Sequence, residues 1–215
     1  MSFELDLRRG WIEEELAGEF PELALYHVSV EARAGRSPGT VKHRLREMSD
    51  RFTGPKAVQV RQQPVPWAYR VFFRQIGIDP DERRTPPEAA ALERMRAGAF
   101  KSTNLLDDAL LICTVETGVP VLAYDRDRVR GDVGLRLAKA GERAGDEGHS
   151  LRGGEIVTAD EAGPLSVLFG ECAPDRGVTP ATERMVLAAV QVKGVPDVSV
   201  EEALWTVTEI LGANA

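Results

Sequence analysis

Val115-Glu116-Thr117-Gly118-Val119-Pro120-Val121-Leu122-Ala123-Tyr124-Asp125-Arg126-Asp127 is the stretch at which the chain changes texture. Before it, Leu105 to Thr117 spaces apolar residues as a helix, and Gly118 is placed to cap it. After it, Val119 to Tyr124 reads as a short strand and Asp125-Arg126-Asp127 as a turn. Helical patterns dominate upstream and strand patterns downstream. That order argues for an α+β fold rather than for alternating βαβ units.

Working back from Leu105, Lys101-Ser102-Thr103-Asn104 supplies N-cap chemistry, and Thr85-Pro86-Pro87-Glu88 spells a capping box that opens a helix running to Gly98. Trp67, Val71, Phe72 and Ile76 mark a helix ended by Gly77. Val41, Leu45, Met48 and Phe52 mark an amphipathic helix with a basic outer face, preceded by a loop at 34–39. Leu23 to Val30 reads as a buried strand, Trp11 to Phe20 as a helix, and Ser2 to Leu7 as a strand. Working forward, strands are expected at Val133–Leu137, Ile156–Val157, Leu165–Phe169 and Met185–Val192. Loops or hairpins are expected over Gly141–Gly154. Ser199-Val200-Glu201-Glu202, a second capping box, is expected to open a last helix ended by Gly212. No linker splits the 215 residues, so a single domain is expected over 1–215, with a basic helical part at about 33–101 and a strand-rich part at about 119–195.

The apolar fraction is 43% and the charged fraction 28%, which suits a globular chain rather than a disordered or coiled-coil one. No run approaches ~18 apolar residues, and the first residues carry no basic and apolar leader, so no membrane partner and a cytoplasmic location are expected. Cys113 and Cys172 make no disulfide framework. The formal net charge of −7 disguises a segregation. Residues 33–101 hold 15 basic and 7 acidic side chains, whereas 102–215 hold 10 basic and 19 acidic. A basic block of this kind suits either a polyanion partner or solvated helix faces.

Catalytic signatures such as a P-loop, a dinucleotide fingerprint, H-E-x-x-H or G-x-S-x-G are absent from the sequence. His27, His43 and His149 are far apart, and no spacing suggests a metal site, so no metal is expected. His27, in the middle of a strand, reads as a core or edge histidine. Asn104, Asp107 and Asp108 read either as an N-cap with acids favoured by the helix dipole or as pocket groups for an ammonium. Glu116 and Tyr124 sit at element ends, and Thr179 and Thr182 form a turn or a hydroxyl pair at a site mouth.

The motif order is more informative than any single motif. The Gly118–Val129 stretch is followed by Gly131, then by Leu135-Arg136-Leu137-Ala138-Lys139-Ala140-Gly141-Glu142, then by Gly154-Glu155-Ile156-Val157-Thr158-Ala159-Asp160. This order resembles the B3/4 domain of phenylalanyl-tRNA synthetase beta chains. Tyr69-Arg70, Gly77-Ile78-Asp79-Pro80, Arg84 to Ala89 and Asn104 to Asp108 are similar to freestanding members of that family. The resemblance implies a β-sandwich-like core of unusual topology with flanking helices. It implies a pocket for an aminoacyl moiety and a basic surface for the tRNA acceptor end, with no cofactor. The implied activity is trans-editing, the hydrolysis of a mischarged aminoacyl-tRNA ester, in which a positioned water replaces a strong side-chain base.

Under that resemblance the substrate-binding residues are Asn104, Asp107, Asp108, Glu116, Leu122, Tyr124, Gly170, Thr179 and Thr182. The RNA-binding residues are Arg70, Arg74, Arg83, Arg84, Arg94, Arg96 and Lys101. The chain departs from the synthetase pattern at Leu110 and Leu111 (Thr-Asn there), at Leu122 (His there) and at Ala188 (Glu there). These replacements keep open a non-catalytic module that binds tRNA or an amino acid. The acidic total keeps open a small-molecule hydrolase with no RNA partner. Nothing in the sequence sets an oligomeric state.

Overall fold

The computed structural model describes residues 5–52, 54–144 and 150–212. Its elements run β1 (Arg8–Arg9), β2 (Trp11–Ile12), α1 (Glu14–Glu19), β3 (Ala24–Glu31), α2 (Gly39–Arg51), α3 (Gly54–Gln59), α4 (Pro64–Gln75), α5 (Pro86–Ala97) and α6 (Leu105–Thr117). Then follow β4 (Val121–Asp125), β5 (Gly134–Leu137), β6 (Ile156–Ala159), β7 (Pro164–Val167), β8 (Arg184–Gln191) and α7 (Asp197–Gly212). The fold is α+β. One sheet has strand order β1-β3-β8-β4 with antiparallel pairs throughout, and the other has order β2-β5-β6-β7.

β8 is the spine of the first sheet. Met185 to Val190 are all buried, a continuous run rather than an alternating one, as expected of a strand covered on both faces. α7 packs against β3 and β8, and α6 packs against α7 and β4. The two sheets meet through Tyr124 of β4, whose hydroxyl bonds Thr158 of β6 and Ser166 of β7. The chain passes from one sheet to the other at Gly10. A Cβ there would lie 2.3 Å from the Val133 carbonyl oxygen, so only glycine allows β1 and β2 to follow each other so tightly.

The strongest caps form where the sequence puts them. Thr85 and Glu88 close a capping box on α5, and Asn104 caps α6 by accepting from the Asp107 backbone N–H. Other expectations are corrected. Trp11 and Ile12 do not begin a helix. They pair in parallel with Gly134 and Leu135, and α1 starts at Glu14. Leu5 to Leu7 form no strand, and the rest of that expected strand lies outside the described residues. The last helix opens at Asp197 rather than at Ser199, whose N–H bonds the Pro196 carbonyl. The strand expected to reach Phe169 stops at Val167, because Phe169 turns to a φ of 54°. α3 was not expected. Part of the Gly141–Gly154 loop, with His149, lies outside the described residues.

Candidate functional site

The residues singled out by sequence fall into several separate groups. At the start of α6, Asn104 and Asp107 bond each other at the surface. Asp108 turns inward and is 1% exposed. Its Oδ2 accepts from the hydroxyls of Ser37 (2.5 Å) and Ser102 (2.6 Å), and its Oδ1 accepts from the Thr103 N–H (2.9 Å). Asp108 thereby ties the loop before α2 and the segment just before α6 to one helix terminus. About two turns along the same helix, Glu116 accepts a bidentate pair from Arg44 of α2 at 3.1 and 2.5 Å.

On the inner face of the first sheet, Tyr124 is 1% exposed, and its hydroxyl closes a triangle with Thr158 (2.6 Å) and Ser166 (2.7 Å). Burial pushes that phenol well above its usual range. The next residue, Asp125, is also buried and accepts from the Thr182 hydroxyl at 2.7 Å. Thr182 in turn accepts from the Thr179 N–H, so the two threonines form a local turn locked to β4. Gly170 lies in the turn after β7, where Arg83 donates to the Phe169 carbonyl at 3.3 Å and the Phe169 ring packs on Tyr69 and Phe73.

The positions at which the chain departs from the synthetase pattern come together in part. Leu122 of β4 and Ala188 of β8 are direct cross-strand partners. Ala188 is in turn opposite His27 of β3. These three side chains form one row on one face of the sheet. Leu110 and Leu111 lie half-buried on α6 against the same core.

The seven cations expected to touch RNA divide by burial. Arg70 is 3% exposed and is committed to Glu88 (2.5 Å) and Asp81 (2.9 Å), which seals it inside α4 and α5. Arg94 is half-buried and donates to the Ser49 carbonyl. Arg74 is exposed and lies 5.9 Å over the ring of Trp67, itself 48% exposed. Arg84 and Arg83 are exposed nearby, with Arg84 3.8 Å from Asp81. Arg96 and Lys101 are exposed with no ion pair among the described residues.

Beside Arg84 a cleft of about 270 Å³ opens between α3 and α5, with Arg61 and Arg84 on an apolar lining that includes Val58 and Met95. Arg61 and Trp67 are the residues near this cleft and basic surface to which sequence reasoning gave no site role. Trp67 was read only as one of the residues that mark a helix, and its exposure depends on where α4 packs. None of the nine expected substrate-binding residues lines this cleft or the others described at α7, α1 and β3.

The thiols are poor nucleophiles. Burial pushes Cys113 up to about 12 and Cys172 up to about 11. Among the described residues no three His, Cys, Asp or Glu side chains gather as a metal site would need. Burial also lowers His27 below its ordinary value of 6.5, with Arg8 and Arg126 adding to the effect and Asp132 and Asp6 opposing it. The unfolded chain therefore binds this proton more readily than the folded one. The His27 contribution to stability is intact above about pH 6.5 and is lost as the pH falls through the lowered folded value. Thermal melts of the wild type and His27→Gln across pH 7 to 4 should show a shallower acid decline in the variant. Parallel declines would mean that His27 does not titrate this way.

The B3/4 domain model matches residues 68–201. The phenylalanine–tRNA ligase beta subunit of Streptomyces avermitilis is 32% identical over 95 residues, covering 42% of this chain and 11% of that protein. The corresponding subunit of Xanthomonas campestris is 36% identical over 86 residues, covering 40% of this chain and 10% of that protein. The chain thus spans about a tenth of the length of these curated relatives. An N-terminal fragment of the phenylalanyl-tRNA synthetase beta subunit from Pyrococcus horikoshii superposes with a TM-score of 0.41 at 16% identity, covering 52% of this chain and 41% of the fragment. The match over 68–201 takes in most of α4, then α5, α6, β4 to β8 and the start of α7, and by it the chain belongs to the B3/4 domain family.

Proposed function

We propose that this chain, acting as one B3/4 domain, binds the acceptor end of an aminoacylated tRNA and hydrolyses a mischarged ester in trans. Membership of a family shared with the tRNA ligase beta subunits carries the reading. The exposed cations Arg74, Arg83, Arg84, Arg96 and Lys101 support it as phosphate contacts, and Trp67 beneath Arg74 supports it as a stacking platform. Arg70 and Arg94 support the scaffold under that surface. In the reaction, a water oxygen adds to the ester carbonyl carbon, the carbonyl–ribose oxygen bond breaks, and the water's proton passes to the ribose oxygen. An aminoacyl ester is activated enough for orientation and oxyanion donors to carry the step.

A second reading is a binding module without turnover. It is favoured by the apolar Leu110, Leu111, Leu122 and Ala188, and by the commitment of Asp108 and Tyr124 to internal bonds. Deacylation of a panel of mischarged tRNAs discriminates the two. Acceleration over buffer for at least one species supports editing. Salt-dependent binding of every species without acceleration supports the module. Replacing Arg74, Arg83 and Arg84 together by Gln should flatten the slope of log affinity against log salt by roughly 2. An unchanged slope removes this surface from the interface.

A further inference from the structure

Six large apolar side chains are exposed among the described residues: Trp11, Val58, Trp67, Met95, Val198 and Trp205. Two of them are engaged within the chain. The Trp11 indole donates to the Asp132 carbonyl at 3.0 Å, and Trp67 lies under Arg74. The other four fall into two pairs, each at a cleft. Val58 and Met95 line the cleft between α3 and α5, and Val198 and Trp205 line one between α7 and the segment holding Leu5 and Leu7. Single exposed apolar residues need no explanation, whereas clefts that gather them mark contact surfaces.

The two clefts are opposite in charge. The α3–α5 cleft carries Arg61 and Arg84, and its carboxylate, Glu88, is already taken by Arg70 and Thr85. Arg61 has no ion pair among the described residues, and Arg84 lies 3.8 Å from Asp81, which Arg70 already holds at 2.9 Å. The α7 cleft carries Glu201 and Glu202, both exposed and without an ion pair among the described residues. Val198, Glu201, Glu202 and Trp205 stand at i, i+3, i+4 and i+7 of α7, so the sequence sets them on one helix face. That is the anchor pattern of a helix laid in a groove. α6 packs against both α5 and α7, and the two clefts share no lining residue, so α7 does not fill the α3–α5 cleft of its own chain.

We propose that these two surfaces are the halves of one contact between copies of this chain, in which α7 of one copy lies in the α3–α5 cleft of another. Trp205 enters beside Val58 and Met95, where a thioether and an indole make favourable contact. Glu201 and Glu202 face Arg61 and Arg84. The charges fit only this pairing. Two α3–α5 clefts brought together would oppose cations, and two α7 faces would oppose carboxylates. RNA suits the α3–α5 cleft but not the acidic α7 one, whereas a second copy satisfies both. The wider division of charge points the same way, since residues 33–101 are basic in sum and 102–215 acidic. The contact joins unlike patches. It closes as a two-fold dimer when each copy offers both patches to the same partner, and otherwise continues from copy to copy.

The test is sedimentation equilibrium of the full 215-residue chain over a range of concentrations. It compares the wild type, Arg61→Glu/Arg84→Glu, Glu201→Arg/Glu202→Arg and an equimolar mixture of the two variants. All four substituted positions are exposed, and circular dichroism checks that each variant is folded. The mass of the wild type should rise with concentration, and raising the salt from about 0.05 M to about 0.5 M should weaken the association about tenfold. Each reversed variant alone should stay monomeric. The mixture should associate again, because the reversed cleft of one variant meets the reversed α7 of the other, and the unaltered cleft and helix also fit. Trp205→Ser should weaken the wild-type contact about thirtyfold. A wild type that stays monomeric at low salt, association that neither reversal disturbs, or a mixture no more associated than its parts would overturn the proposal. A monomeric wild type whose tRNA binding is lost in Arg61→Glu/Arg84→Glu would assign the cleft to RNA instead.

Discussion

Replacing Asp108 by alanine is expected to cost about 3 kcal/mol of stability, since it strands the buried Ser37 hydroxyl and removes the bonds that hold Ser102 and Thr103 at the start of α6. For a chain of this size that is a drop on the order of 6–12 °C in melting temperature. The carboxylate receives Ser37, Ser102 and the Thr103 N–H at once, and all three would lose it together. Asp108→Asn keeps one accepting oxygen and should fall between the variant and the wild type. Were Asp108 instead a substrate ligand at an open pocket wall, Asp108→Ala would melt as the wild type does and lose only binding. Calorimetry of the three proteins separates these outcomes.

Arg70→Met is expected to be comparably harmful, at about 3–5 kcal/mol, because it leaves the Glu88 carboxylate buried without its cation. Glu88 has its side chain 6% exposed and also holds the Thr85 hydroxyl and N–H that start α5. The double variant Arg70→Met/Glu88→Leu removes both charges and should recover part of the loss, though not the capping box. Urea unfolding of the two single variants and the double one measures the coupling. The folded fraction of Arg70→Met should bind tRNA with the wild-type salt slope. A slope lowered by about one would return Arg70 to the list of phosphate contacts.

The fold class and the best-capped helices were legible because their signals are local. Thr85 and Glu88 are three residues apart, and Asn104 needs only Asp107 to make a cap. β2 was misread because two residues cannot carry a period. Trp11 becomes strand through Gly134, more than a hundred residues away, whose missing side chain makes room for the indole. The site was less legible for the same reason. Asp108 looked free to bind an ammonium because Ser37, one of its three partners, lies 71 residues upstream. Arg70 looked like a surface cation because its cage comes from α5 and the loop before it. Leu122, Ala188 and His27 stand on three strands, and only the register joins them into a row.

The crossover at Gly10 has a consequence for solubility. Residues 8–12 form the outermost strand of both sheets, β1 on one and β2 on the other. Bare strand edges recruit other chains into intermolecular pairing. Here one five-residue ribbon, bent once at a glycine, hems an edge of each sheet. Loosening that ribbon would expose the rims of β3 and β5 together, so a local opening at one glycine becomes a joint exposure of two sheets to self-association.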